Sequence, residues 1–202
     1  MGGAPLSRQL GASRSRRSVA ADRKPRGAGR ANPDTGSGRR LLSVPEDRLS
    51  ITIRAATFAD RDAIVALHKA AAVTPGALAR APEEVTPAYA DGAIKSDICL
   101  VAVDADGLVC GEIHAKRETV ALFAHVLGSL TVAVHPRRQG QGIGSKLFEA
   151  LIVWAREQAP PILRIELAAG AGNPGAIRLY ERLGFQHEGR QVARGRCRAA
   201  AS

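Results

Sequence analysis

The glycine-rich stretch at residues 139–144 most constrains what this chain can fold into. It reads Gln-Gly-Gln-Gly-Ile-Gly, with a glycine at every second position. The alternating β-branched run Leu130–Val134 before it predicts a strand, and apolar residues at helical spacing from Ile143 to Trp154 predict a helix. Glycine lets successive backbone N–H groups converge on one point, and the first turn of a helix carries unpaired N–H groups and partial positive charge. The stretch therefore predicts a site for a phosphate or pyrophosphate.

The spacing of the glycines decides between kinds of phosphate site. A P-loop needs Gly-Lys-Ser/Thr, but residues 144–146 read Gly-Ser-Lys. The dinucleotide fingerprint G-x-G-x-x-G, started at Gly140, meets Ser145 at its sixth position. The pattern that fits is Gln/Arg-x-x-Gly-x-Gly, which resembles the acyl-CoA-binding motif of the GNAT family of N-acetyltransferases. Residues 173–185, Asn-Pro-Gly-Ala-Ile-Arg-Leu-Tyr-Glu-Arg-Leu-Gly-Phe, resemble that family's second CoA-side motif.

The resemblance covers about residues 50–190 and is strongest over 130–185. It implies an α/β fold, a GNAT-like mixed β-sheet flanked by helices. It also implies an acyl-CoA-dependent N-acetyltransferase that moves an acetyl group from acetyl-CoA, its co-substrate, to a primary amine of a small molecule or peptide by direct attack. No metal is implied.

The resemblance assigns the binding of acetyl-CoA residue by residue. The residues that match the family's cofactor-binding positions are Val134, Gln139, Gly140, Gly142, Gly144, Ser145 and Asn173. Arg137 and Arg138 could add positive charge for the phosphates. Asn173 followed by Pro174 is also a preferred helix start, so Asn173 is predicted to be a helix N-cap as well.

Three catalytic tasks follow from the same resemblance. The backbone N–H of Val134 matches the donor that polarises the thioester carbonyl, and Tyr180 matches the tyrosine that protonates the departing thiolate. The general base is left open among three strand residues. Glu112 is the first choice, followed by Glu166 and His114, because family members use a glutamate on such strands or a water relay.

The chain between these motifs predicts the rest of the domain, which we place at residues 49–190. A first strand at 51–54 leads to an amphipathic helix beginning near Ala63, and residues 73–97 are broken by prolines and glycines, forming a helical segment between loops. In the family this region forms one wall of the acceptor site. Residues 99–103 and 108–115 flank Asp104-Ala105-Asp106-Gly107 and predict a hairpin; residues 163–167 predict the strand that follows the crossover helix.

The C-terminal end departs from the family. Its members close the sheet with a further strand after the last helix, whereas Arg190–Ser202 is rich in arginine and alanine. We expect that the last strand is missing or is supplied by another chain, which would make a homodimer. A missing strand would also leave a second class of function open, a CoA-binding module of the same fold that does not turn over.

The net charge of +10 lies at the two ends of the chain. Residues 1–50 hold 11 basic and 4 acidic residues, residues 51–185 are neutral, and residues 186–202 hold 4 basic and 1 acidic. We interpret 1–48 as a disordered basic tail and 191–202 as a basic C-terminal tail. Nucleic-acid binding through these ends is the less favoured alternative, because only 3% of residues are aromatic.

Two further classes are argued against by composition. No run approaches the ~18 apolar residues of a membrane span. The three cysteines form no C-x-x-C pair, so they are read as reduced thiols of a cytoplasmic protein and not as a zinc site.

Overall fold

The structure, a computed structural model, describes residues 3–10, 50–74 and 76–191. Those residues form one mixed β-sheet with helices packed on it. The strands are β1 (Gly3–Gln9), β2 (Thr52–Ala55), β3 (Ile98–Val103), β4 (Val109–Arg117), β5 (Val126–Val134), β6 (Arg164–Gly170) and β7 (Gln186–His187), and the helices are α1 (Arg61–Ala72), α2 (Pro87–Ile94), α3 (Ile143–Arg156) and α4 (Pro174–Arg182).

The sheet has the order β2-β3-β4-β5-β6-β1-β7. Every neighbouring pair is antiparallel except β5 and β6, which are parallel and are joined by α3. This is the predicted crossover, and it confirms the predicted fold class, a GNAT-like mixed sheet flanked by helices. The predicted hairpin is β3–β4, whose turn is closed by the N–H of Gly107 donating to the carbonyl of Asp104 at 3.0 Å.

Alternate residues of the strands enter two separate hydrophobic cores. Leu100 of β3 packs with Ile113 and with Leu147 of α3, whereas the next residue, Val101, packs with Ile64 of α1 and with α2. Because successive strand side chains point to opposite faces, α1 and α2 cover one face of the sheet and α3 covers the other. Residues 73–97 contain α2 between irregular segments, as predicted.

The last helix begins and ends where the sequence predicts. The side-chain oxygen of Asn173 accepts a hydrogen bond from the N–H of Ala176 at 3.1 Å, which makes it the N-cap of α4. At the other end Gly184 has φ +82°, and Phe185 N–H donates to the carbonyl of Tyr180 at 3.0 Å. A left-handed residue with such a bond is a common helix C-terminus.

The N-terminus of the chain fills the place of the strand that the C-terminus lacks. β1 lies between β6 and β7 and is antiparallel to both, with Leu6 opposite Leu167 and His187. Leu6 is 1% exposed and belongs to the core under α3. The prediction of a disordered tail is therefore wrong for residues 3–10. Of the two predicted tails, residues 1–2, 11–48 and 192–202 lie outside the described part.

Polar side chains also tie β1 to its neighbours. Ser7 donates to the carboxylate of Glu188 at 2.6 Å, and Arg8 donates to the carbonyl of Leu183 at the end of α4. The Arg164 guanidinium binds the same Glu188 carboxylate. With this slot filled from within the chain, the reason for expecting a strand lent by a second copy no longer applies.

We predict that replacing Leu6 with alanine lowers the free energy of unfolding by about 2–5 kcal/mol, because the change removes a fully buried side chain from the core. Urea unfolding followed by circular dichroism measures the loss. The matched control is Leu108→Ala, since Leu108 is 64% exposed in the hairpin turn and such a site changes stability by within about 0.5 kcal/mol. Equal stability of the two variants would contradict the place given to β1.

Candidate functional site

The sheet opens between its two parallel strands. β5 and β6 pair only at their first residues, Val126 with Arg164 and Leu127 with Ile165. Beyond that point a cavity of about 570 Å³ lies between the end of β5, the start of α3, α4 and the end of α1. Its volume is in the range of small-molecule and cofactor sites.

The glycine-rich loop forms one wall of this cavity, and its glycines serve two purposes. Gly140 and Gly142 both have φ +77°, and a Cβ at either position would meet nothing within 4 Å. They are needed for the left-handed turn, and the space beside them is open. Gly144 is needed for packing instead, because a Cβ there would lie 3.0 Å from Cδ2 of Leu179 on α4.

The start of α3 presents unpaired amides to the cavity. The helix begins at Ile143 with no side-chain cap, and its first helical bond is the N–H of Lys146 donating to Gly142 at 3.1 Å. The N–H groups of Ile143, Gly144 and Ser145 precede that bond and have no acceptor within the helix. All three residues line the cavity, which is where the predicted phosphate receptor needs its donors.

The backbone of Val134 faces the same opening. The next residue, His135, donates its N–H to the carbonyl of Cys110 at 2.9 Å, toward β4. Because successive N–H groups of a strand point to opposite sides, the N–H of Val134 points away from β4, toward the gap where β6 has diverged. Val134 lines the cavity.

The side chains around the glycine loop are less free than the sequence suggested. Arg138 is held by the buried carboxylate of Asp104, with Nη2 2.6 Å from Oδ2. Gln139 donates from its amide to the carbonyl of Val134 at 3.4 Å. The cavity gains positive charge from Arg178 and Arg182 of α4, which line it and have no ion pair within the described residues.

Tyr180 lies on the inner side of α4. It is 7% exposed, packs edge-on against Phe148 at 5.4 Å between ring centroids, and lines the cavity. Burial raises the pKa of its phenol to about 12. The phenol therefore stays protonated throughout the neutral range and is a hydrogen-bond donor. Asn173 also lines the cavity; its oxygen is used by the cap, which leaves its amide NH₂.

Glu112 occupies a different place from the one expected of a general base. Its carboxylate is fully buried and contacts Nε2 of His68 at 2.7 Å, Nδ1 of His114 at 2.9 Å and the thiol of Cys99 at 3.2 Å. Burial alone would raise the pKa of Glu112, but hydrogen bonds from the two imidazoles outweigh it and hold that pKa below its ordinary value. Glu112 is not among the residues lining the cavity, so direct abstraction of a proton from a substrate does not fit its position.

The two other candidate bases lie on different strands. Glu166 lies on β6, is 45% exposed at its side chain and is paired with Arg164. His114 lies on β4 beside Glu112 and is 6% exposed. Sequence reasoning did not single out His68, which stands alone on an otherwise apolar helix face, or the arginines of α4. The spacing of Arg178 and Arg182, one helical turn apart, was the only available signal for the latter.

The geometry is that of an α/β protein whose sheet opens beside a glycine-rich phosphate receptor. A family model described as the acetyltransferase (GNAT) family matches residues 63–185, more than half of the chain. The chain belongs to the GNAT family of acetyltransferases. No match is found among curated proteins.

Solved structures of this family share the fold. An acetyltransferase of the GNAT family from Streptococcus pneumoniae is 25% identical over 73% of this chain and 94% of its own, with a TM-score of 0.60. A ribosomal-protein-alanine N-acetyltransferase from Brucella melitensis is 27% identical over 72% of this chain and 93% of its own, with a TM-score of 0.61. A protein from Salmonella typhimurium, solved with its cofactor acetyl-CoA, is 25% identical over 73% and 88%, with a TM-score of 0.57.

Two other features bear on the sequence predictions. No helix in the described ranges is long and apolar enough to cross a membrane. Cys99 and Cys110 are free, buried thiols, and burial raises the pKa of both. Within the same ranges no group of three or more metal-ligating side chains is arranged to hold an ion.

We predict that Gly142→Val weakens acetyl-CoA binding at least tenfold. A β-branched residue at φ +77° costs about 1–2 kcal/mol, and any relief of that strain turns the following amides out of the cavity. Isothermal titration calorimetry with acetyl-CoA measures the dissociation constant. Gly107→Val is the matched control, because Gly107 has φ +81° and equally open space but lies in the β3–β4 turn. The same affinity in both variants would remove the loop from the binding site.

Proposed function

We propose that this protein is an N-acetyltransferase that moves an acetyl group from acetyl-CoA to a primary amine by direct attack. The observation that carries the proposal is a convergence. The free amides of α3, the N–H of Val134 and the phenol of Tyr180 all border one cavity, where the sheet opens. These are the donors that a charged thioester substrate needs, placed on three different elements.

The proposal assigns the diphosphate of acetyl-CoA to the loop and the first turn of α3. The backbone N–H groups of Gly140, Gly142, Gly144 and Ser145 would donate to it, with Gln139 beside them. The helix dipole adds roughly 0.3–1 kcal/mol, so converging hydrogen bonds to a charged acceptor supply most of the binding. Asn173 contributes its unused amide NH₂, and Arg178 and Arg182 add charge along the same wall.

The acetyl thioester then lies against the end of β5. The N–H of Val134 would donate to the thioester carbonyl and stabilise the negative charge that develops as the amine attacks. When the carbon–sulfur bond breaks, the phenol of Tyr180 protonates the thiolate. A phenol with a pKa of about 12 holds its proton at neutral pH until the thiolate forms beside it, and a proton lost by the attacking nitrogen then restores the phenol.

The acceptor amine enters from the other side of the cavity. The end of α1 and the loop after it line that side with small and apolar residues, Ala71, Thr74, Ala77 and Leu78. This is the region where the family resemblance places one wall of the acceptor site. The acceptor class we propose is a small molecule or a peptide N-terminus.

We also propose a cytoplasmic location, with which the free thiols of Cys99 and Cys110 agree.

The alternative of a non-catalytic CoA-binding module loses its main support. It was motivated by a missing last strand, and β1 occupies the corresponding slot of the sheet. The proposal is tested by incubating the protein with acetyl-CoA and a panel of amino acids, polyamines, amine antibiotics and peptides. Thiol release is measured, and the amine is examined by mass spectrometry. An acetylated amine is expected. Tight acetyl-CoA binding with no acetylated product from any acceptor would instead support the module.

We predict that Tyr180→Phe lowers kcat about 10²-fold, in the range of general acid catalysis, while the dissociation constant of acetyl-CoA stays within about twofold. The change removes only the hydroxyl and keeps the ring between Phe148 and Phe185. Steady-state kinetics and calorimetry on the same preparation separate the two effects. Wild-type turnover in this variant would show that the phenol does not protonate the thiolate.

A further inference from the structure

A buried polar cluster lies under α1 and α2, on the face of the sheet opposite α3. We define it as the Glu112 cluster: the carboxylate of Glu112, the imidazoles of His68 and His114, the phenol of Tyr89 and the thiol of Cys99. The three rings lie within 5.3–6.3 Å of one another, measured between centroids. Burying an ionised carboxylate in a protein interior is costly unless hydrogen bonds compensate it, and here three donors do so.

The hydrogen bonds fix where the protons are. An ionised carboxylate only accepts, so Nε2 of His68 and Nδ1 of His114 must both donate to Glu112. The phenol of Tyr89 lies 3.3 Å from Nδ1 of His68, which occupies the second nitrogen of that ring. His114 differs, because its Nε2 has no hydrogen-bond partner among the described residues. The cluster thus holds one imidazole whose second nitrogen is not used by any other described residue.

His114, like Glu112, does not itself line the cavity, but the sheet register places it one residue pair from a residue that does. Across β4 and β5, Glu112 is opposite Ala133 and His114 is opposite Thr131. Ala133 lines the cavity and shares a face with both. Diagonal neighbours on one face of a sheet lie about 7–8 Å apart, a gap that an imidazole and one water molecule can span.

The ladder is also irregular at this point. The β4–β5 register shifts between His114 and Lys116, where β5 has one residue more than β4. Ser129, which lies in this bulge, has φ +47°. A bulge with a strained non-glycine residue is characteristic of sites where a strand re-aims a side chain. The irregularity lies immediately beside His114, on the side away from Ala133 and the cavity.

We propose that His114 is the general base of the transfer reaction and that Glu112 is its positioning residue. The inference rests on the proposed function. Nε2 of His114 takes a proton from the acceptor ammonium through one water molecule, and Glu112 stabilises the imidazolium that forms, as a buried carboxylate does for the histidine of a catalytic triad. The nitrogen forms its bond to the carbonyl carbon as the carbon–sulfur bond breaks; of the two protons lost by the ammonium, one leaves through His114 and one restores the phenol of Tyr180 after it has protonated the thiolate.

Groups from four elements surround His114. Cys99 faces it from β3, His68 from α1, Tyr89 from α2 and Thr131 from β5. Among the described residues, the one carboxylate that contacts His114 is that of Glu112, on the same strand. His68 competes for that carboxylate but has both nitrogens occupied, so the proton from a substrate is directed to His114.

His114→Asn tests the base directly. The amide NH₂ of asparagine can replace Nδ1 as donor to Glu112, which keeps the buried carboxylate satisfied while the lone pair of Nε2 is lost. We expect kcat to fall about 10²–10⁴-fold and the acidic limb of the pH profile of kcat/KM to disappear, since no group has to lose a proton there. His114→Gln provides a second variant should the first unfold, and thermal melting followed by circular dichroism identifies a folded sample.

Glu112→Gln tests the positioning role. We expect a lower kcat and an acidic limb displaced to lower pH, because an imidazolium without its carboxylate partner loses its proton more readily. A residue that only supported the fold would change stability and leave the position of the limb alone. Glu149→Gln is the matched control, since the same change is made at an exposed residue of α3 outside the cavity lining.

The proposal is overturned if folded His114→Asn retains both turnover and the acidic limb, or if the limb is lost in His68→Gln and kept in His114→Asn. For every variant, acetyl-CoA binding is measured by calorimetry, and turnover is compared with that of the wild type. A wild type that acetylates an amine while His114→Asn is unaffected removes only the base assignment. A wild type that does not acetylate any amine removes the proposed function, and with it this inference.

Discussion

The site depends on a parallel strand pair that stops after two residue pairs. Had β5 and β6 stayed hydrogen-bonded along their length, the N–H of Val134 would be used by the ladder and α3 would lie flat on a closed sheet. Because the strands diverge after Leu127 and Ile165, a cavity opens between them and backbone groups that a sheet would normally satisfy are left to a ligand. The binding site is therefore formed by the part of the sheet in which β5 and β6 are not paired.

The divergence is tolerable because the sheet is completed elsewhere. β6 is held on its far side by β1, which runs along its whole length, and β1 in turn holds β7. The hydrogen bond from Arg8 to Leu183 also fixes the end of the helix that carries Tyr180. The N-terminal strand therefore supports the site indirectly. It keeps β6 and α4 in place, while the edge of β6 that faces β5 is unpaired beyond Ile165.

Local signals account for most of what could be predicted. The glycine loop, the cap at Asn173 and the turn at Gly107 each depend on residues within a few positions of one another, and the structure places all three as expected. β1 could not be found in this way. Its sequence, Gly-Ala-Pro-Leu-Ser-Arg-Gln, has one fully buried large apolar residue, Leu6, and it becomes a strand because a slot between β6 and β7 pairs its backbone.

The candidate base shows the same limit for chemistry. Residue type and strand position drew attention to Glu112 and His114. Their roles depend on His68, however, which lies on α1, 44 residues before Glu112 in the chain. A carboxylate that accepts from two imidazoles is a support for them and not itself a reactive group. Only the packing of α1 against β4 reveals which member of the pair keeps a free lone pair.

The central claim is that backbone amides at the opening of the sheet bind acetyl-CoA. A titration of ¹⁵N-labelled protein with acetyl-CoA, followed by the amide resonances in two-dimensional NMR spectra, observes those groups themselves. The account predicts large shifts for Val134, Gly142, Gly144 and Ser145 and small ones for the β3–β4 turn. Saturating acetyl-CoA that leaves these four resonances in place, or that shifts only amides remote from the cavity, would contradict it.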